Sequence, residues 1–354
     1  MSQSTVPATG GTGGLVEYIR FTRPFTLLPP TLGVISGAIC AWGSYWNPDP
    51  ARELHLSVIL TVLLGSLCAA LLNAASNVIN QIYDLEIDRI NKPERMLPAG
   101  RISLRAAWGY TWLLYAAAVL PTWLVVIYPA RGLADRWLIP PGMLEGAPFI
   151  VRILAGHACF FIYLAGMAFT FVYSAPVLGR TKRHALGANL TIAVPRGMLL
   201  KVAGWSMVGP VLALEPWYIG LIFALFLVGA ASTKDFSDME GDLAGGCRTL
   251  PLRFGVRTAA WMMAPSFVLP WLLVPLGVWL PDPLDPAGAH AVLTGNPLAL
   301  VLLGLGLAAW GSYTVWLILR DPEAMATTEN HPSWTHMYLM MMAAQVGFAA
   351  AYLL

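Results

Sequence analysis

Between residues 26 and 354, apolar runs of about 20 residues follow one another with short polar connections between them. Coiled as an α-helix at ~1.5 Å per residue, such a run crosses the ~30 Å hydrocarbon core of a bilayer and satisfies its own backbone hydrogen bonds. Nine runs are expected to do so, near 26–43, 57–83, 104–128, 150–173, 185–203, 217–233, 258–281, 298–320 and 334–354. Pro29, Pro30 and Pro195 interrupt the first and the fifth. The expected fold class is all-α: a polytopic membrane protein of about nine transmembrane helices. Composition argues against a soluble domain, because only 11% of residues are charged and 57% are hydrophobic, against ~25% charged in ordinary soluble chains.

Charge placement orients the bundle. With nine spans, the N-terminal tail lies on the same side as the connections after spans two, four, six and eight. That side carries Arg20, Arg23, Arg89, Lys92, Arg95, Arg101, Arg180, Lys182, Arg183, Lys234, Arg248, Arg253, Arg257 and Arg320, fourteen cations against Arg52, Arg131 and Arg136 on the other. The positive-inside rule then puts the basic face in the cytoplasm, in the inner or plasma membrane. The acidic clusters share that face. Residues 1–17, rich in Ser, Thr and Gly without a basic-then-apolar leader, are expected to form a disordered tail ahead of a single domain, 18–354. Cys40, Cys68, Cys159 and Cys247 form no CxxC pair and are expected to be packing thiols. No nucleic-acid partner is expected.

Two polar stretches follow apolar runs on the basic face: "NQIYDLEIDRINKPERMLPAG", Asn80 to Gly100, and "STKDFSDMEGDLAGGCRTLPLRFGVR", Ser232 to Arg257. Asp84-x-x-x-Asp88 matches Asp238-x-x-x-Asp242, and Arg95-Met-Leu-Pro98 matches Arg248-Thr-Leu-Pro251. Four spans separate the copies, so both emerge on one side, as a duplicated helix-plus-loop unit would. Residues four apart share a helix face. Asn80, Asp84 and Asp88 form one polar stripe, and Asp235, Asp238 and Asp242 another. Charged cytoplasmic loops are commonplace, and one DxxxD alone usually marks a solvated face. Two copies sharing an R-x-L-P tail mark a site. Facing carboxylate stripes suit Mg²⁺, which takes one or two carboxylates plus substrate phosphate oxygens. Lys92, Arg95, Arg180, Lys182, Arg183, Lys234 and Arg248 are placed to neutralise a polyanion. Together with apolar walls they point to a diphosphate on a lipid tail.

At these residues the chain resembles the UbiA superfamily of intramembrane prenyltransferases. Asn80, Asp84, Asp88, Asn91, Pro93, Arg95, Pro98 and Gly100 match the first family motif; Lys234, Asp235, Asp238, Glu240, Gly241 and Asp242 match the second. "RFTRPFTLL", with Arg23 and Pro24, is similar to the opening segment, and "YSAPVLGRTKR" to the basic loop after the fourth helix. The resemblance implies a central cavity with two cytoplasmic cap loops. It also implies Mg²⁺-dependent transfer of a prenyl group from its diphosphate to a small acceptor, usually an aromatic ring. On that basis Asp84, Asp88, Asp238 and Asp242 are the catalytic metal carriers, with Asp235 as a further ligand. Asn80, Arg95, Lys182, Arg196, Lys234 and Arg248 are the substrate-binding set.

The first motif's wording favours a phenolic acceptor of quinone or tocopherol-like synthesis. The second also resembles chlorophyll synthases and archaeal-type lipid prenyltransferases, so a tetrapyrrole or glyceryl phosphate stays open. An ion-coupled transporter is the alternative class, since intramembrane carboxylates also mark ion paths. Within the spans, Arg196 either lines the cavity or forms a structural pair. Lys201 is expected to snorkel or end a helix, and His157 to pack as a polar residue.

Overall fold

The computed structural model describes residues 14–125, 146, 148–285, 288, 290–328 and 331–354. Among these residues it is helical throughout, with two isolated bridges as its only extended pairing. Helix α1 (Leu15–Phe21) leads through a 3₁₀ turn (Pro24–Leu27) into α2 (Leu28–Gly43), then α3 (Leu56–Tyr83), short α4 (Leu85–Asn91) and α5 (Leu104–Val119). Next come α6 (Phe149–Gly156), α7 (Ala158–Ser174), α8 (Ala185–Ala193), a π-helical turn (Val194–Leu199) and α9 (Leu200–Trp205). The remainder is α10 (Leu214–Ala230), α11 (Met239–Ala244), α12 (Leu250–Phe254), α13 (Val256–Trp279), α14 (Pro297–Arg320), α15 (Ala324–Thr327) and α16 (Pro332–Leu353). Residues 1–13, and with them most of the expected tail, lie outside the described residues, as do Arg131 and Arg136. Residues 15–17, expected in the tail, belong to α1.

Five helical segments among the described residues are long and apolar enough to cross a membrane: Pro24–Gly43, Leu56–Tyr83, Leu214–Lys234, Val256–Trp279 and Pro297–Arg320. A sixth results if α6 and α7, bent by 78° at His157, are counted as one span. The expected count was nine. The other three runs are helical but compromised. Helix α5 has 16 residues, about 24 Å of rise. The α8–α9 stretch is broken by the π turn and carries Arg196 and Lys201. In α16 the apolar run is interrupted by His336 and Gln345.

The exterior is apolar. Leu56, Leu60, Leu63 and Leu67 are exposed along one face of α3, and Leu298, Leu302 and Leu305 along one face of α14. These are spacings of three and four, with the greasy side turned outward, as lipid requires. This is an integral membrane protein. Inside, helices approach closely at small residues, as expected where no hydrophobic force acts between helices. At the α2–α9 crossing a Cβ on Gly204 would overlap the carbonyl of Val34. Helices α13 and α14 pack along one another, and α2 lies between α9 and α16.

Lys201 does not snorkel. It is 1% exposed, donates to Ser36 Oγ at 2.7 Å, and sits 4.7 Å from the ring centre of Phe223. Its place on α9, under α2 and α10, leaves it no route to the headgroups. His157 packs as expected: it is buried, stacks on Trp123 at 3.8 Å and lies 3.1 Å from the Trp123 carbonyl through Nδ1.

Candidate active site

Helix α3 stops turning regularly at Asp84, whose φ of −97° and ψ of 9° end it and begin α4. The helical hydrogen bonds continue across the break, from Asp84 N to the Asn80 carbonyl at 2.9 Å and from Asp88 N to the Asp84 carbonyl at 2.7 Å. The two carboxylates therefore keep the shared face predicted from their spacing. The second motif repeats the arrangement. Beyond α10 and a 3₁₀ turn, Asp238 takes φ −100° and ψ 8° and begins α11. Helices α4 and α11 then pack side by side. Gly245, just past α11, permits this, because a Cβ there would collide with Ile87 Cδ1 of α4.

The carboxylates have different company. Asp84 is buried; its Oδ1 accepts from Arg180 Nη2 at 2.9 Å and pairs with Lys182 Nζ. Both cations come from the turn after α7, and Arg180 also reaches the Tyr83 carbonyl at 3.2 Å. Arg95 Nη1 contacts both oxygens of Asp88, at 2.5 and 2.6 Å. In the second motif, Lys234 Nζ lies 3.7 Å from Asp238, and both side chains are about one-third exposed, at 35% and 36%. Burial, then the charges of Asp242 and Asp238, push the Asp235 carboxyl well above the usual range. Burial and Asp238 push Asp242 up to about 6, against the opposing pull of Lys182. Among the described residues, no three acids, histidines or cysteines converge into a ready metal cage. The second motif gathers three acids around one ion pair among the described residues, with two of the three pushed toward the protonated form.

Beneath the acids lies a cavity of about 280 Å³ between α2, α3, α7, the π turn and α16. Asn73, Asn77 and Asn80 line it from one face of α3; Leu72, Ile162 and Phe169 give it apolar walls, and Arg196 enters from the π turn. Pro195, which has no N–H to donate, sits in that turn. Of the expected substrate-binding residues, Asn80 and Arg196 line the cavity, Lys182 and Arg95 hold Asp84 and Asp88, and Lys234 lies beside Asp238. Arg248 is elsewhere: it lines a second pocket with Arg183, His184, Gly246 and Arg253.

Sequence reasoning left Arg23 out of the site. It lines the cavity in a left-handed conformation, φ 55°. Burial and the charge of Arg95 lower its pKa to about 10, while Asp88 and Asp84 oppose that shift. Its Nη2 is buried with no hydrogen-bond partner among the described residues. An asparagine ladder fixes the Arg23 segment: Asn77 Nδ2 donates to the Thr22 carbonyl at 2.9 Å and Thr26 Oγ1 at 2.7 Å, and Asn73 Nδ2 to the Thr26 carbonyl at 2.9 Å. The signal was present as asparagines at positions 73, 77 and 80 of an otherwise apolar run, one face of a helix.

Lipid-facing helices surround a cavity with apolar walls and a polar end, beneath acids and cations. A model of the UbiA prenyltransferase family matches residues 24–131 and 143–327, and the chain belongs to that family of membrane prenyltransferases. It is similar to the bacteriochlorophyll synthase 34 kDa chain of Chloroflexus aurantiacus, 28% identical over 341 residues, covering 95% of this chain and 91% of that one. It is also similar to the digeranylgeranylglyceryl phosphate synthase of Methanobrevibacter smithii, 29% identical over 260 residues, 73% of this chain and 76% of that one. Its fold is shared with a UbiA homolog from Archaeoglobus fulgidus bound to GPP and Mg²⁺, with TM-score 0.58 and 18% identity, covering 94% of this chain and 99% of that one.

Proposed function

We propose that this chain transfers a prenyl group from a prenyl diphosphate to an acceptor, with Mg²⁺, at the cytoplasmic face of a nine-span bundle. The carrying observation is the pair of equivalent breaks at Asp84 and Asp238, meeting above a cavity that holds Arg23 and Arg196. The donor set suits Mg²⁺, since all five acids are carboxylates and the second motif gathers three of them around one ion pair among the described residues. Asp84, Asp88, Asp235, Asp238 and Asp242 would hold it. When bound, Mg²⁺ supplies positive charge to the diphosphate oxygens.

The chain's own residues do the rest. Arg23, Arg95, Lys182 and Lys234 receive the charge that builds on the leaving diphosphate as the C1–O bond breaks and its electron pair departs. Asn80 orients the head group. Leu72, Ile162 and Phe169 keep water from the allylic cation left at C1. The acceptor's nucleophilic atom bonds to C1, and the proton it carried passes to the released diphosphate or to water. Arg196 meets the acceptor's polar group.

A tetrapyrrole acceptor is supported by similarity to the bacteriochlorophyll synthase chain along nearly the whole length. Glyceryl phosphate is supported by the archaeal relative. The phenolic acceptor is supported by motif wording and by a plant relative, a probable homogentisate phytyltransferase of Oryza sativa, 30% identical over 249 residues, 69% of this chain and 56% of that one. Nothing in the comparisons supports transport. The test is prenyl transfer in membranes holding this chain, with and without Mg²⁺, offering geranyl, geranylgeranyl, phytyl and longer diphosphates against chlorophyllides, glyceryl phosphates, homogentisate and 4-hydroxybenzoate. A Mg²⁺-dependent product, absent in Asp84→Asn, is expected. Transfer independent of Mg²⁺, or undiminished in that variant, would sink the metal assignment.

A further inference from the structure

The loop after α7 and the loop after α11 run beside one another, joined by a parallel bridge between His184 and Arg248 and a hydrogen bond from Arg248 N to the Arg183 carbonyl at 3.1 Å. Successive side chains diverge in the 3₁₀ turn Thr181–Arg183, and they alternate in the extended backbone at the bridge. Lys182 is buried against Asp84, and Cys247, also buried, is tied to the acid motif by its N–H, which donates to the Asp242 carbonyl at 2.8 Å. Their neighbours Arg183 and Arg248 turn outward and are exposed. The paired loops thus have an inner face serving the diphosphate end of the cavity and an outer face directed away from it.

The outer face is concave. Arg183, His184, Gly246, Arg248 and Arg253 line a pocket of about 310 Å³ with no acidic side chain among them. Among the described residues, none of these three arginines forms an ion pair, whereas Arg89, Arg95 and Arg180 all do. Gathering three guanidinium groups without a counter-charge is repulsive, and an anion relieves it, most effectively one whose oxygens accept several N–H donors at once. Gly246, at φ 68° with nothing near its missing Cβ, leaves the floor open.

Its level selects the source of the anion. Arg253 stands three residues before α13, a spanning helix. Around the pocket, Phe254 at the end of α12, Leu243 of α11 and Leu186 of α8 are exposed apolar side chains. Cations interleaved with outward apolar residues at the mouth of a span match the headgroup layer, where basic side chains meet anionic lipid. We propose that this pocket binds the phosphate of an anionic phospholipid headgroup at the membrane surface, outside the reaction cavity.

The full chain, reconstituted in nanodiscs of phosphatidylcholine with a graded share of phosphatidylglycerol and without prenyl diphosphate, is examined by native mass spectrometry for retained lipid. Phosphatidylglycerol is expected to be retained severalfold above its share of the bilayer, and the double substitution Arg183→Gln with Arg253→Gln to remove that enrichment. No enrichment in the unaltered chain overturns the proposal, whether or not the variant folds. So does enrichment that survives the double substitution in folded protein. A third arm adds millimolar inorganic phosphate: lipid retention that persists supports the headgroup, and displacement of the lipid reassigns the pocket to a soluble phosphate and overturns the lipid assignment.

Discussion

Asp84 and Asp238 occupy the same backbone position in two parts of the chain, within 3° in φ and 1° in ψ of one another (−97°, 9° and −100°, 8°). The first is enclosed by Arg180 and Lys182, with Asp88 gripped by Arg95. The second has one lysine at 3.7 Å, and its companions Asp235 and Asp242 hold their protons more tightly than ordinary carboxylates. Equal backbone and unequal charge separate two jobs. The first motif is built into the protein's own ion-pair network and supports the fold. The second holds its acids with fewer direct ion pairs, and on the proposed function it would draw in the cation.

The largest test of this contrast pairs Asp84→Asn with Asp238→Asn. Both are expected to lower transfer by about 10²- to 10³-fold, the scale of removing one preorganised charge-stabilising group. Stability should divide them. Asp84→Asn strands two buried cations, and breaking a buried pair costs about 3–5 kcal/mol. Asp238→Asn, at a pair about one-third exposed, costs about 1 kcal/mol or less. Thermal unfolding in detergent alongside the transfer assay reads both, and equal destabilisation would erase the distinction.

A smaller effect appears with pH when divalent ions are chelated. The Asp242 carboxyl is raised from 3.8 to about 6 by folding, so the unfolded chain loses this proton first. Between those values the folded chain binds more protons, and stability falls as pH rises, by on the order of 3 kcal/mol. Asp242→Asn should flatten that slope in unfolding curves taken across pH 4–6, whereas Asp84→Asn, which removes a lesser cause of the shift, should reduce it only in part.

Separating the two motifs mechanically comes next. Gly245→Val pushes against Ile87 and should lower transfer about tenfold, near 1.4 kcal/mol in the barrier, with Ile87→Ala restoring part of it. Gly245→Ala should have a smaller effect in the same direction, since its Cβ must displace Ile87 Cδ1 and Cγ1, at the end of an isoleucine side chain. A valine variant with full activity would show that the α4–α11 contact has no bearing on the reaction. The mildest expectation is Arg196→Leu, which should raise the acceptor KM severalfold more than the diphosphate KM. Equal rises would return Arg196 to a structural role.

The helical runs were legible because lipid demands length and apolarity at once: the runs near 57–83, 258–281 and 298–320 became α3, α13 and α14 within two residues at either end. Hydropathy carries no direction, so the 78° bend at His157 was invisible within the run 150–173. The acid pair was legible from spacing, since i and i+4 fix a face wherever the helix runs. Arg23 was not, because it joins the site through side-chain bonds from Asn73 and Asn77, some fifty residues away in sequence. Lys201 was misread because snorkelling depends on which helices surround α9, a tertiary fact. Arg248 was placed by analogy with Arg95, but the bridge to His184 turns its side chain to the outer face.

Helix α3 has 28 residues, about 42 Å of rise, and the hydrocarbon core of a bilayer is ~30 Å thick. The surplus is taken up by tilt or by emergence from the lipid, and Asp84 sits at the end where that choice is expressed. Membrane thickness therefore becomes a variable of the chemistry: a thicker bilayer stands this helix more upright and draws its acidic end toward the acyl region, and a thinner one lifts it into the aqueous layer.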